Sequence, residues 1–272
     1  MDLLEPVLEL LEEVKSKTGK PVRIKKVAVD RLYGGGEINV ERAFGKKPAH
    51  LITHIENLQQ AQWKISHECL HILRITSVPI EDRLIFDEDP EIVANGFRIL
   101  FGMANPYNRK KVPVSEFNKW NSNRLLILSG LLASGVQDLW GDKEIQRRYS
   151  GTQICSEMFE AYQRWSETRL RNDLELDTFD KCYEIVNAVN WATLNLGRSY
   201  YLARETDALA LFDQHPPIVS LGDKLIIAVR KRTLGSYRDD MDITDEWATI
   251  LGIRSCYCWW NPETKMDVRV RN

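Results

Sequence analysis

Residues 67 to 71 read His67-Glu68-Cys69-Leu70-His71, and few five-residue stretches constrain a chain more. Two imidazoles four positions apart lie on one face of an α-helix, close enough to share a tetrahedral ion, and the glutamate between them projects beside that face. The chain holds five histidines in all, so this pairing at ligand spacing is not a product of histidine abundance. The flanks agree with a helix, because no Gly or Pro interrupts Trp63 to Val78. On a helical wheel Ile65, Cys69, Ile72 and Leu73 fall roughly opposite the two histidines. The pattern predicts a helix with one stripe in a core and the histidine stripe facing a cleft. It makes a zinc-dependent hydrolase the leading expectation, with His67 and His71 as ligands and Glu68 as general base.

Composition narrows the partners. Hydrophobic residues make up 43% of the 272, enough for a sizeable core, and a net charge of -2 gives no general attraction to nucleic acid. Met1-Asp2-Leu3-Leu4-Glu5-Pro6 carries no basic leader pattern, and the longest apolar run, Leu125 to Val136, is too short for a bilayer. No membrane association is therefore expected. Five cysteines, an odd number at irregular spacing, do not form a disulfide framework, and they predict a reducing, cytoplasmic setting.

Pattern divides the chain into two regions and gives an α+β class. The first, residues 1–105, opens with a helix over Leu3 to Lys17, in which Leu4, Val7, Leu8, Leu11 and Val14 recur at helical spacing before Gly19-Lys20-Pro21. Extended runs follow at Val22 to Asp30, Glu37 to Phe44 and His50 to Ile55, with Gly34-Gly35-Gly36 forcing a loop or bulge. The motif helix comes next. Asp89-Pro90-Glu91 then reads as a helix start, with Asp89 as N-cap and Pro90 in the first helical position.

This order and three of its pieces resemble the ImmA/IrrE family of zinc metallopeptidases. An edge-type strand, Leu51-Ile52-Thr53-His54-Ile55-Glu56-Asn57, runs through Gln62-Trp63-Lys64-Ile65-Ser66 into the His-Glu-x-x-His helix. Further on, Glu91-Ile92-Val93-Ala94-Asn95-Gly96-Phe97 is similar to the family's Glu-x-x-Ala-Asn-x-Phe segment. The likeness covers about residues 3 to 105. It implies a zincin-like domain, places the third zinc ligand on Glu91, and points to a transcriptional repressor or other regulatory protein as substrate.

Apart from that resemblance, catalytic zinc needs three protein ligands and an open position. Glu91 is the best placed further donor, while Asp87, Glu88 and Asp89 compete with it, and its charge also suits a helix N-terminus. His50 and His54 are the other donors in the region, and strand alternation puts both on one face. Ile52, Thr53, His54 and Ile55 are expected to hold an extended substrate by backbone pairing.

The second region, 106–272, follows the linker Asn105 to Pro113 and reads as mostly helical, recognising or regulating. Helices are expected at Ser122 to Trp140, Gln153 to Arg171, Thr178 to Leu196, Ser199 to Asp213, Gly222 to Lys231 and Thr244 to Leu251. Ile154, Met158, Phe159, Tyr162 and Trp165 form a core-type stripe. Cys256-Tyr257-Cys258 is too tightly spaced for a usual zinc knuckle and reads as buried thiols. Arg230-Lys231-Arg232 reads as solvated surface, the acids from Asp239 to Asp245 as a helix start, and Tyr257 to Arg271 as a hairpin. Two functions fit the whole: a cytoplasmic zinc endopeptidase that cuts a protein substrate, or a zinc-bound, catalytically silent protein using the same fold as an interaction scaffold.

Overall fold

The computed structural model describes residues 3–27, 36–38, 47–54, 61–87, 135–165, 181–200, 207–261 and 266–268. Pro6 near the first turn and Gly19 just past the last bracket helix α1 (Glu5–Thr18). Gly19 is left-handed at φ 71° and its N–H reaches Lys15 O at 2.9 Å, a C-cap conformation that a Cβ would disfavour. The face that packs is Val7, Leu10 and Val14, and each such side chain contributes roughly 1.5–3 kcal/mol on burial. Leu8, which shares the apolar periodicity, stays 47% exposed. It sits about 100° round the helix from Val7 and so misses the buried stripe.

Three short strands follow: β1 (Val22–Lys26), β2 (Gly36–Ile38) and β3 (His50–His54). They form one sheet in the order β1–β3–β2. β3 runs parallel to β1, with Val22 opposite His50 and Lys26 opposite His54, and antiparallel to β2, with Ile38 opposite Ile52. This corrects the edge position expected for β3, because the strand is central and both of its edges are taken. Along it His50, Ile52 and His54 are buried while Leu51 and Thr53 are partly exposed, the period of two that puts alternate side chains on opposite faces.

Helix α2 (Gln62–Thr76) carries the motif and packs against α1, β2 and β3. It ends where Thr76 Oγ1 donates back to Ile72 O at 2.6 Å and Ser77 Oγ to Arg74 O at 2.6 Å, the latter one of the last-turn carbonyls that the helix itself leaves open. Helix α3 (residues 135–149) continues through Gly141 instead of ending at Trp140. α4 is Gln153–Trp165.

The remaining helices are α5 (Lys181–Tyr200), α6 (Asp207–Ala210), α7 (Pro216–Arg230) and α8 (Tyr237–Leu251). α6 ends at Ala210, short of the expected Asp213, and α7 starts at Pro216, well before Gly222. α8 starts at Tyr237, just before the acidic run that reads as a helix start and well before the Thr244 at which periodicity places it. Ser236 and Asp239 form a reciprocal capping box, with Asp239 Oδ2 accepting from Ser236 N at 2.6 Å. Trp247 is buried beneath it and donates its indole N–H to Leu225 O at 3.0 Å. A second sheet has the order β4 (Ile85–Asp87), β5 (Cys258–Asn261), β6 (Met266–Val268). β5 and β6 are neighbours, as the expected hairpin requires.

The protein is thus helix-rich with mixed α and β structure, and it divides into two compact units. One is Met1–Ile85, Trp140–Arg164 and Asn261–Met266, and the other is Phe86–Leu139, Trp165–Trp260 and Asp267–Asn272. The boundary expected at 105/106 lies outside the described residues. Residues 140–164, which read from sequence as part of the second region, belong to the first unit. Among the described residues no helix is long and apolar enough to cross a membrane.

Candidate metal centre

The motif helix begins without a side-chain cap of its own, since Ala61 stands at the N-cap. Its first donors are served from elsewhere: Trp63 N donates to Glu157 Oε2 of α4 at 3.1 Å, and that carboxylate also suits the positive end of the helix dipole. Gln62 Oε1 in turn accepts from Leu4 N at 3.1 Å, tying the start of α1 to the start of α2. Along α2 nearly every side chain from Ile65 to Ile75 is buried. The histidine face is therefore not an open cleft wall, as amphipathicity implied. It is covered by α3 and α4, and His67 and His71 are each 7% exposed.

Within that cover the two imidazoles converge. His67 Nε2 and His71 Nε2 lie 2.8 Å apart, with ring planes at 81°. On the far side of the ring, His67 Nδ1 lies 3.1 Å from Asp142 Oδ1. Asp142 is fully buried, and its other oxygen accepts from the Tyr162 hydroxyl. Trp63 stacks on Tyr162 at 6.5 Å and 26°, and lies 5.5 Å from the His67 ring. The approach of α3 depends on Gly141, where a Cβ would meet His67 Cε1 at 3.3 Å.

Asp138 stands one helical turn before Asp142 on α3, so the two carboxylates share a face. His67, His71 and Asp138 each offer one ligand atom, and the three atoms lie within 4.8 Å of one another. In a tetrahedral zinc site with bonds of about 2.0–2.1 Å, neighbouring ligand atoms are roughly 3.3 Å apart. The histidine pair is a few tenths of an ångström tighter than that, within a small ring rotation. Two imidazoles and a carboxylate are a donor set that zinc accepts with a position left for water or substrate.

No family model, curated protein or solved structure matches the chain. What the site does therefore rests on its own residues.

Of the residues singled out by sequence, His67 and His71 come together, and Glu68 lies beside them on α2, half-buried. Glu91, Glu88 and Asp89 lie outside the described residues, as does Ile55, and Asp87 is described in its backbone alone. Backbone pairing of substrate with Ile52, Thr53 and His54 is corrected: their ladder positions face Ile24, Lys25 and Lys26 on one side and Ile38, Glu37 and Gly36 on the other. His50 is a structural histidine, its Nε2 lying 3.0 Å from Thr18 Oγ1. Burial, helped by Lys20 and Arg83, lowers its pKa to about 4.

Among the described cysteines, Cys69, Cys155 and Cys258 are free and buried. Burial, with Glu68 and Glu13 adding to it, pushes the Cys69 thiol well above its usual range. Arg230, Lys231 and Arg232 are exposed, as a solvated surface requires, with Arg232 bonded to Glu246 at 3.0 Å.

Asp138, Asp142 and Tyr162 escaped the sequence reading. Asp138 and Asp142 are an i, i+4 acidic pair flanking Gly141, a signal in the sequence itself, but one that gains meaning only when α3 is seen against α2. Tyr162 reads as core because its neighbours Ile154 and Met158 are core.

Proposed function

We propose that this protein is a zinc-dependent endopeptidase with a zincin-like catalytic unit, similar to the ImmA/IrrE peptidases, acting in the cytoplasm on a regulatory protein such as a transcriptional repressor. The observation that carries the reading is the convergence of His67 Nε2 and His71 Nε2 at 2.8 Å on a motif that also supplies Glu68. Asp138 is the third donor favoured by position, and Glu91 is the donor the family likeness favours.

Zinc held there would supply Lewis-acid chemistry, acidifying water and polarising a peptide carbonyl. Glu68 takes the proton of the attacking water and returns it to the leaving amine, so that one amide bond and one water become a carboxylic acid and an amine. The buried surroundings of the histidines exclude bulk water and strengthen the electrostatics of the step. Among the described residues β3 is paired on both edges and β2, which packs against α2, on one alone, so an extended, locally unfolded segment would pair at β2.

The test compares wild type with Glu68→Gln, measuring metal content and new protein termini in the native host. About one zinc per chain, with termini that appear in wild type and vanish in Glu68→Gln, is the expected result. Zinc bound without any Glu68-dependent cleavage overturns the peptidase reading in favour of a silent scaffold. Absence of bound zinc overturns both.

A further inference from the structure

We infer that Asp142, held by Tyr162, is a positioning residue that fixes the tautomer of His67 and so prepares the imidazole to bind metal. The inference rests on the metal reading proposed above and goes beyond it, because it assigns a role to a buried carboxylate and a tyrosine outside the motif. A fully buried carboxylate is costly unless its oxygens meet donors. Asp142 is fully buried, and an ionised carboxylate only accepts. One oxygen takes the Tyr162 O–H, and the other faces His67 Nδ1 at 3.1 Å.

The consequence is directional. A neutral imidazole carries its proton on one nitrogen alone. With that proton on Nδ1, toward Asp142, His67 presents Nε2 as a bare lone pair, and Nε2 is the atom that faces His71 at 2.8 Å. The opposite tautomer would point an N–H into the metal position and turn a bare Nδ1 lone pair toward the buried Asp142 Oδ1 at 3.1 Å, an approach of two acceptors. Carboxylates behind ligand imidazoles set ring orientation and raise ligand basicity in this way. Tyr162 keeps Asp142 from rotating away, and the Trp63 ring stacked on it restricts Tyr162 in turn. Gly141, one residue before Asp142, lets the α3 backbone come close enough for a side chain as short as aspartate to reach the ring.

The experiment uses full-length wild type, Asp142→Asn and Tyr162→Phe, with two measurements on folded protein. Zinc affinity is measured by competition with a chelator, and the tautomer of His67 in metal-free protein is read from imidazole nitrogen shifts. Asp142→Asn is expected to weaken zinc by about 10- to 100-fold, because an amide accepts less strongly and can also turn its NH2 toward the ring. Tyr162→Phe is expected to weaken zinc by a smaller factor, and the wild-type His67 to show its proton on Nδ1. A merely structural Asp142 would change stability while leaving affinity and tautomer unmoved.

Unchanged zinc affinity in both variants overturns the inference, as does a wild-type His67 protonated on Nε2. If Asp142→Asn does not fold, Tyr162→Phe and the wild-type spectrum decide alone. A wild type that binds no zinc defeats the metal reading itself, a result separate from either of these.

Discussion

A Cβ on Gly141 would stand 3.3 Å from His67 Cε1 and 3.4 Å from His67 Nδ1. The glycine sits in the interior of α3, where it costs roughly 1 kcal/mol of helix stability relative to alanine. Its value is the close approach of α3 to the histidine face of α2. Gly141→Ala is expected to leave the thermal midpoint unchanged or slightly raised, while displacing the ring enough to weaken zinc by about tenfold. Thermal unfolding of metal-free protein and chelator competition separate the two effects. Wild-type zinc affinity in Gly141→Ala would show that the site tolerates the methyl group.

Acid sensitivity should trace partly to His50. Burial, with Lys20 and Arg83 adding to it, lowers its folded pKa to about 4, whereas the unfolded chain titrates near the ordinary histidine value of about 6.5. Between those values the unfolded state binds the extra proton. The neutral histidine is therefore fully compatible with folding above about pH 6.5, and stability falls as pH drops toward 4, by at most about 1.4 kcal/mol per pH unit from this group. Denaturant unfolding of metal-free protein across this range should show a shallower slope in His50→Gln than in wild type. Equal slopes would remove His50 from the acid response.

At the crossing of α5 and α7, Gly222 meets Trp191. A Cβ there would lie 2.2 Å from Trp191 Cδ1 and 2.9 Å from Ala188 O. The Trp191 ring is further held by its N–H donating to Asp223 Oδ1 at 2.9 Å, and it stacks edge-on to Phe212. Relief of the backbone clash needs the helices to separate. Gly222→Ala is therefore expected to destabilise by about 1–3 kcal/mol despite alanine's better helix propensity, with zinc affinity of the folded protein unchanged. A stabilised variant in denaturant unfolding would contradict this crossing geometry.

The parts of this structure that were legible in sequence are those set by local chemistry. Gly19 ends α1, an uninterrupted run makes α2, and the acids from Asp239 lie in the first turns of α8. What sequence concealed is pairing between distant segments. Nothing local in Leu51 to His54 says whether one edge or two will be bonded, since alternation reports faces and not edges. Nor does Gly141, a residue that locally suggests a stop, reveal that its missing side chain admits the neighbouring helix. The motif histidines could be recognised alone, but the carboxylate behind His67 lies 75 positions away from it, on a helix whose face is chosen by packing.

For the third donor of the proposed metal site, position favours Asp138 and the resemblance read from sequence favours Glu91. Asp138 is partly exposed on α3, and its carboxylate is among three ligand atoms within 4.8 Å of one another, the other two being imidazole nitrogens of His67 and His71. Helix α3 fixes its direction, since Asp142 one turn on is anchored by Tyr162. A ligand held on a helix whose neighbouring turn is pinned loses little freedom on binding. Asp138→Ala should accordingly lower zinc affinity by well over tenfold, and it should not unfold the protein, because a partly exposed helix position accepts alanine readily. Glu91→Ala should leave affinity within about twofold. Both variants are compared with wild type by chelator competition after circular dichroism confirms folding. Wild-type affinity in Asp138→Ala together with a large loss in Glu91→Ala would transfer the ligand to Glu91 and leave Asp138 as a neighbouring surface acid.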